Sequence, residues 1–156
     1  MNNKQVDILL SVYNPNEEYL IKQLSSLNNQ TYPNLKLYIF DDCIKKRCNL
    51  DLFEKYITNF SYEVLPYCEE NLNYMGAFEK LVQRSDGEYI AFCDQDDIWM
   101  DDKVEKCVAY MNEKNIDLVV TDKQIIDEND NVTCSSVRKH SNKNYDNWNT
   151  YDDITK

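Results

Sequence analysis

Short apolar runs alternate along the chain with stretches in which apolar residues recur every three or four positions. "VDILLSVY" (6–13), mostly apolar, reads as a buried-strand run, and Asn14-Pro15 stops it. In "NEEYLIKQLSSLNNQ" Leu20, Leu24 and Leu27 share one helical face, with Glu17 and Glu18 in the first turn where the helix dipole favours acids. "LKLYIF" (35–40) predicts a second strand that runs straight into Asp41-Asp42. "LDLFEKYITNF" then predicts a helix and "YEVLPY" (62–67) a third strand. "YMGAFEKLVQRS" places Phe78, Leu81 and Val82 on one face of another helix, which Asp86-Gly87 is expected to close through glycine's left-handed cap conformation. "EYIAFC" (88–93) predicts a fourth strand. Val104, Cys107, Val108 and Met111 set a fourth helix, and "DLVVT" (117–121) predicts a fifth strand.

Strand and helix thus alternate four times, which predicts an α/β fold with a mostly parallel sheet flanked by helices on both faces. Ligands of such sheets bind outside the carboxyl ends of the strands. Three polar clusters fall at those ends: Ser11-Tyr13-Asn14, Asp41-Asp42 and Asp94-Asp96-Asp97. Their coincidence predicts one site. From residue 135 onward the chain shows no apolar period and reads as a polar tail.

The 156 residues suffice for one core, and 42% apolar content with only two glycines and three prolines is that of an ordered domain. A net charge of −11 argues against binding a nucleic-acid backbone, since phosphates would be repelled. A phosphorylated small molecule stays admissible if a divalent cation mediates. The opening "MNNKQVDILLSVYN" lacks signal-peptide features, and no apolar run reaches transmembrane length, so a cytoplasmic location is expected. The six cysteines contain no C-x-x-C pair and several sit at core positions, which predicts reduced, packed thiols.

"FCDQDDIWMDD" (92–102) crowds five aspartates into eleven positions. Asp101 and Asp102 precede a helical pattern and suit its cap and dipole. Asp94 and Asp96 end a buried strand, where two close carboxylates repel unless a proton or cation intervenes. An EF-hand loop starting at Asp94 fails, because Trp99 stands where the sharp turn needs glycine. An Asp-x-Asp phosphatase would carry the pair after its first strand, not its fourth. The third chemistry is a D-x-D site, whose hard oxygens suit Mn²⁺ or Mg²⁺ bridging to a nucleotide-sugar diphosphate.

"DILLSVYNPNEEYLIKQLSSLNNQTYPNLKLYIFDD" followed by "SDGEYIAFCDQDDIWMDDKVEK" resembles family 2 glycosyltransferases, nearest to bacterial rhamnosyltransferase-like members that build surface polysaccharides. The likeness runs from about residue 5 to residue 133, including "DLVVTDKQIIDENDNV", which resembles a strand and hairpin. It implies the Rossmann-like GT-A nucleotide-sugar-binding fold over residues 1–134, truncated, with 135–156 a tail or the start of an acceptor half. It also implies an inverting, metal-dependent transferase taking a UDP- or dTDP-sugar. The acceptor would be a saccharide or a lipid-linked one, which places the longer form at the inner face of a membrane.

By the same resemblance Ser11, Tyr13 and Asn14 contact the nucleotide, with Tyr13 against the base, and Asp42 accepts a hydrogen bond from the base. Asp96 becomes the direct metal ligand, and Asp94 shares the metal or lies nearer the ribose or donor sugar. Two departures stand out: "CIKKRC" follows Asp42 where the family has small residues, and Asn71-Leu72-Asn73 replaces Asn-x-Gly. Family members run on for many more residues. The general base is therefore expected outside this chain rather than at His140 or Asp146, and an unpaired apolar face is expected to favour self-association. The alternative expectation is a non-catalytic nucleotide- or metal-binding fragment, with an Asp-x-Asp phosphatase behind it.

Overall fold

In a computed structural model that describes residues 4–140, the chain divides into two units, residues 1–105 and 106–156. The first unit is built on strands β1 (Val6–Val12), β2 (Leu35–Asp41), β3 (Ser61–Val64) and β4 (Tyr89–Cys93), all parallel, in the order β3-β2-β1-β4. Helices α1 (Glu17–Asn28), α2 (Asp51–Tyr56) and α3 (Asn73–Arg84) are the crossovers. The chain winds outward from β1 through β2 to β3, then returns over the sheet to place β4 on the other side of β1. The reversal makes the gap between the carboxyl ends of β1 and β4 the switch point, where such sheets leave room for a ligand.

Alternation sorts the side chains. Leu9 pairs in register with Tyr38 and Phe92, and Leu10 with Ile39 and Cys93. On the first pleat Leu9, Tyr38 and Phe40 pack with Leu65 and with Ala77, Phe78 and Leu81 of α3. On the opposite pleat α1 meets the sheet: its buried Gln23 donates to Cys93 Sγ at 2.9 Å. Leu20, Leu24 and Leu27 are buried as the sequence predicts. Asn16 caps α1, its Oδ1 accepting from the amides of Glu18 and Tyr19.

Three expectations fail on packing grounds. Val82 is 39% exposed, and Ala77 takes its place beside Phe78 and Leu81 on the buried side of α3. Gly87 does not cap α3 in a left-handed conformation: the helix ends at Arg84, and no glycine has positive φ. Space is the reason for the glycine instead. The Asp7 carboxylate, fully buried, accepts from the amides of Asp86 and Gly87 at 2.9 and 2.7 Å, and a Cβ on Gly87 would stand 2.7 Å from that carboxyl group. Third, "DLVVT" is no strand. Leu118 is 70% exposed and residues 117–121 pair with no strand among the described residues, so local β propensity alone did not make a ladder.

In the second unit β5 (Ile125–Ile126) and β6 (Val132–Cys134) form the hairpin that the sequence suggested, antiparallel and irregular at its register. Asp127 holds its turn by accepting from the amides of Asn129 and Asn131, both at 2.9 Å. Helix α4 (Lys103–Lys114) carries the chain across the boundary between the units. A four-residue helix, α5 (Val137–His140), falls where the polar tail was expected to begin. All six cysteines are free thiols. Burial pushes the Cys93 thiol far up and that of Cys48 up to about 11, so both stay protonated and neither serves as a nucleophile. Among the described residues no helix is long and apolar enough to cross a membrane.

Candidate nucleotide-binding cleft

Leu9, Ser11 and Tyr13 share one side of β1 and its extension. Leu9 goes into the core under α3, and Ser11 near the end of β1 and Tyr13 just past it follow on the same side at the sheet's carboxyl edge. There a cleft of about 430 Å³ opens, lined by Ser11, Tyr13, Asp42, Asp94 and Asp96 from the predicted set. That volume lies within the range of small-molecule sites, about 300–1,000 Å³. Asn14 is the exception. It is absent from the lining, and its φ of 44° makes it the left-handed residue that turns the chain from β1 toward α1.

The adjacent acids Asp41 and Asp42 have opposite fates because β2 alternates. Asp41 is fully buried, and its carboxylate accepts from the amides of Cys43 and Cys48 at 2.9 and 2.8 Å. The "CIKKRC" loop thereby closes on Asp41. Arg47 fixes it further, donating to the Asp41 carbonyl at 2.9 Å with its guanidinium 3.9 Å above the Tyr67 ring. Asp42 continues the ladder, its amide donating to Val12 O, and turns its carboxylate to the cleft wall. Its oxygens accept from Asn71 Nδ2 and from the Leu72 amide, both at 2.8 Å. Each carboxylate oxygen has a second lone pair, so Asp42 retains capacity for a ligand donor. Asn73 sits at φ 60°, so asparagine does adopt the glycine-like backbone that the Asn-x-Gly comparison demands.

Asp94 and Asp96 follow β4 in a turn and are exposed at the cleft. The cleft also takes Asn71, Asn73, Tyr74, Phe78 and Gln95. Sequence reading missed Tyr74, Phe78 and Gln95, because α3 brings the first two over β4 and nothing in the pattern reports that packing. Tyr74 stacks edge-on to Phe78 at 4.9 Å, and Phe78 to Phe92 at 5.4 Å. Burial first, and then the charge of Asp94, push the Tyr74 phenol up, so it stays a neutral hydroxyl beside an acid. Among the described residues no three His, Cys, Asp or Glu side chains converge on a metal position. A pair of hard carboxylates at a ligand-sized cleft nevertheless fits Mn²⁺ or Mg²⁺, which take their remaining ligands from water and phosphate oxygens.

Of the two general-base candidates, His140 falls on α5 and Asp146 lies outside the described residues.

A parallel sheet with its cleft at the switch point, flanked by polar residues from the ends of β1, β2 and β4, defines an α/β domain with a ligand cleft at the carboxyl edge of its sheet. The comparisons narrow the class. Residues 7–155 match the family described as glycosyl transferase family 2, and the chain belongs to that family. An uncharacterised glycosyltransferase of Methanocaldococcus jannaschii is 30% identical over 133 residues, covering 85% of this chain and 46% of that protein. The putative teichuronic acid biosynthesis glycosyltransferase TuaG of Bacillus subtilis is 31% identical over 110 residues, 70% of this chain and 43% of TuaG. The Escherichia coli protein WfgD, a UDP-Glc:alpha-D-GlcNAc-diphosphoundecaprenol beta-1,3-glucosyltransferase, is 28% identical over 129 residues, 83% and 49% of the two chains. Among solved structures, S. aureus TarS 1–349 in complex with UDP-GlcNAc superposes with a TM-score of 0.68 at 24% identity, over 78% of this chain and 35% of TarS. That likeness establishes the GT-A fold. The chain spans about half the length of these curated relatives.

Proposed function

We propose that this chain is the donor-binding part of an inverting, metal-dependent glycosyltransferase that takes a UDP- or dTDP-sugar and serves bacterial surface polysaccharide synthesis. The observation that carries the reading is the convergence of Ser11 and Tyr13, Asp42, and Asp94 and Asp96 on one cleft of nucleotide-diphosphate size. Tyr13, exposed at the cleft mouth, offers a ring for the base, with Ser11 and Asp42 as polar partners beside it. Asp96 and Asp94 would hold Mn²⁺ or Mg²⁺, with Asp94 also near the ribose or donor sugar. Such an ion neutralises charge that develops on a departing nucleoside diphosphate. The attacking hydroxyl gives its proton to a carboxylate base, which we place in the part of the longer relatives that this chain does not match.

The relatives support the partners in this reading. WfgD is named for a UDP-sugar donor and a diphosphoundecaprenol-linked acceptor, and TarS was solved with UDP-GlcNAc. A lipid-linked saccharide acceptor would bring the longer protein to the cytoplasmic face of a membrane as a peripheral protein. A second reading, a non-catalytic nucleotide- or metal-binding module, would use the same cleft.

Thermal melts with UDP, dTDP and GDP, each with and without Mn²⁺ or Mg²⁺, test the proposal. UDP or dTDP at a hundredfold excess over its dissociation constant should stabilise the metal-containing samples by about 2.7 kcal/mol. Equal shifts with and without metal would remove the bridging role.

A further inference from the structure

Between the two carboxylates of Asp94-Gln95-Asp96 stands a neutral amide that is bonded twice to the end of β1. The Tyr13 amide donates to Gln95 Oε1 at 2.7 Å, and Gln95 Nε2 donates to the Tyr13 carbonyl at 3.3 Å. The β1–β4 ladder ends at Leu10 and Cys93, and residues 95 and 96 then form a turn. The side chain of Gln95 therefore supplies a rung where the backbone ladder has stopped. A second amide works from the core side. Gln23 of α1, fully buried, donates to the Asp94 carbonyl as well as to Cys93 Sγ.

We propose that Gln95 is a positioning residue that holds the Asp94–Asp96 turn in register with Tyr13, so that the base end and the pyrophosphate end of one ligand are gripped together. This rests on the nucleotide-sugar reading above. The residue type follows from the chemistry. A primary amide carries an acceptor and a donor side by side, which matches the N–H and C=O of a single residue. It is also uncharged. Lysine or arginine between two carboxylates would pair with them and take the place of a cation, whereas a third carboxylate would add to their repulsion and lack the donor. Gln95 acts through Tyr13 and through its two acidic neighbours. Gln23 is the poorer test site, because removing a fully buried amide disturbs the core as well.

The experiment is calorimetric titration of UDP and dTDP into the chain and into Gln95→Met and Gln95→Asn, each with and without Mn²⁺, alongside ligand-free melts. Methionine keeps the length and loses both bonds; asparagine keeps the amide and loses the reach. In either variant the gain in affinity on adding metal should fall about 10-fold or more, in line with the loss of residues that orient metal ligands. Metal-free affinity should fall by a smaller factor than the metal-dependent gain, and the ligand-free melting temperature should stay near that of the unsubstituted chain. A metal-dependent gain unchanged in both variants, or an equal loss with and without metal, overturns the positioning role. Absence of any metal-dependent gain in the unsubstituted chain overturns the nucleotide-sugar reading itself, and the role of Gln95 with it.

Discussion

Asp41 ends β2 and Asp96 follows β4 of the same sheet, and their surroundings give them opposite expected behaviour. Asp41 is sealed in and satisfies two loop amides. Asp41→Ala strands both, at about 1–3 kcal/mol for each buried N–H, so chemical denaturation should show a large loss of stability. Asp96 faces the cleft. Asp96→Asn keeps the shape and removes the charge, so metal-dependent UDP or dTDP binding should collapse while the melting temperature holds or rises as carboxylate repulsion is relieved. Unfolding of Asp96→Asn in the same melt would make that residue structural. Asp101→Asn serves as the control. Its charge lies ahead of α4 and should matter by only about 0.3–1 kcal/mol, with binding intact.

At the scale of elements, the turn between α3 and β4 sets where the acidic segment begins. Its amides at Asp86 and Gly87 are anchored on Asp7 of β1, and Tyr38 of β2 donates to Asp86 at 3.0 Å. Gly87→Ala would press a methyl group against the Asp7 carboxyl group even though the backbone there is ordinary. We expect a loss of about 1–3 kcal/mol, typical of overpacking, measurable by urea denaturation. A neutral outcome would show that the Asp7 side chain can swing aside. The apolar pattern foretold α1 with its buried leucines, because a helix face is written locally at 3.6-residue spacing. It could not foretell that "DLVVT" would stay unpaired, because a strand exists only where another strand lies beside it.

For the molecule as a whole, β4 is an edge of the sheet among the described residues, and it carries exposed apolar side chains. Phe92 is 61% exposed and Met75 on α3 76%, with Ile90, Tyr74 and Val82 exposed nearby. An apolar face beside an unpaired edge favours association, so sedimentation velocity on the 156-residue chain should show mass rising with concentration. Ile90→Lys should lower it, and a monomer across the whole dilution series would refute this. Transfer needs an acceptor held at attack distance, worth about 7–11 kcal/mol of barrier, and a placed base worth a further 10²–10⁴-fold or so. On the proposed reading the cleft would supply donor contacts only. Radiolabelled donor assays should therefore find negligible transfer by this chain and turnover by a protein of its relatives' full length; robust turnover by the chain alone would show a complete active site.

Periodicity determined the four parallel strands, the three crossover helices and the three acidic or polar strand ends, since each is encoded within a few consecutive residues. Through Ser11, Tyr13, Asp42, Asp94 and Asp96 most of the cleft was legible too, because an alternating α/β order sends such ends to one edge. Tertiary structure alone decided the rest. It sealed the Asp41 carboxylate inside its own loop and turned Asn14 away from the cleft. It brought Tyr74 and Phe78 over the end of β4 and joined Gln95 to Tyr13 across 82 residues of chain. Those outcomes depend on which backbone passes within about 3 Å of a given side chain, and hydrogen bonds act only at that range, which no spacing along the sequence specifies.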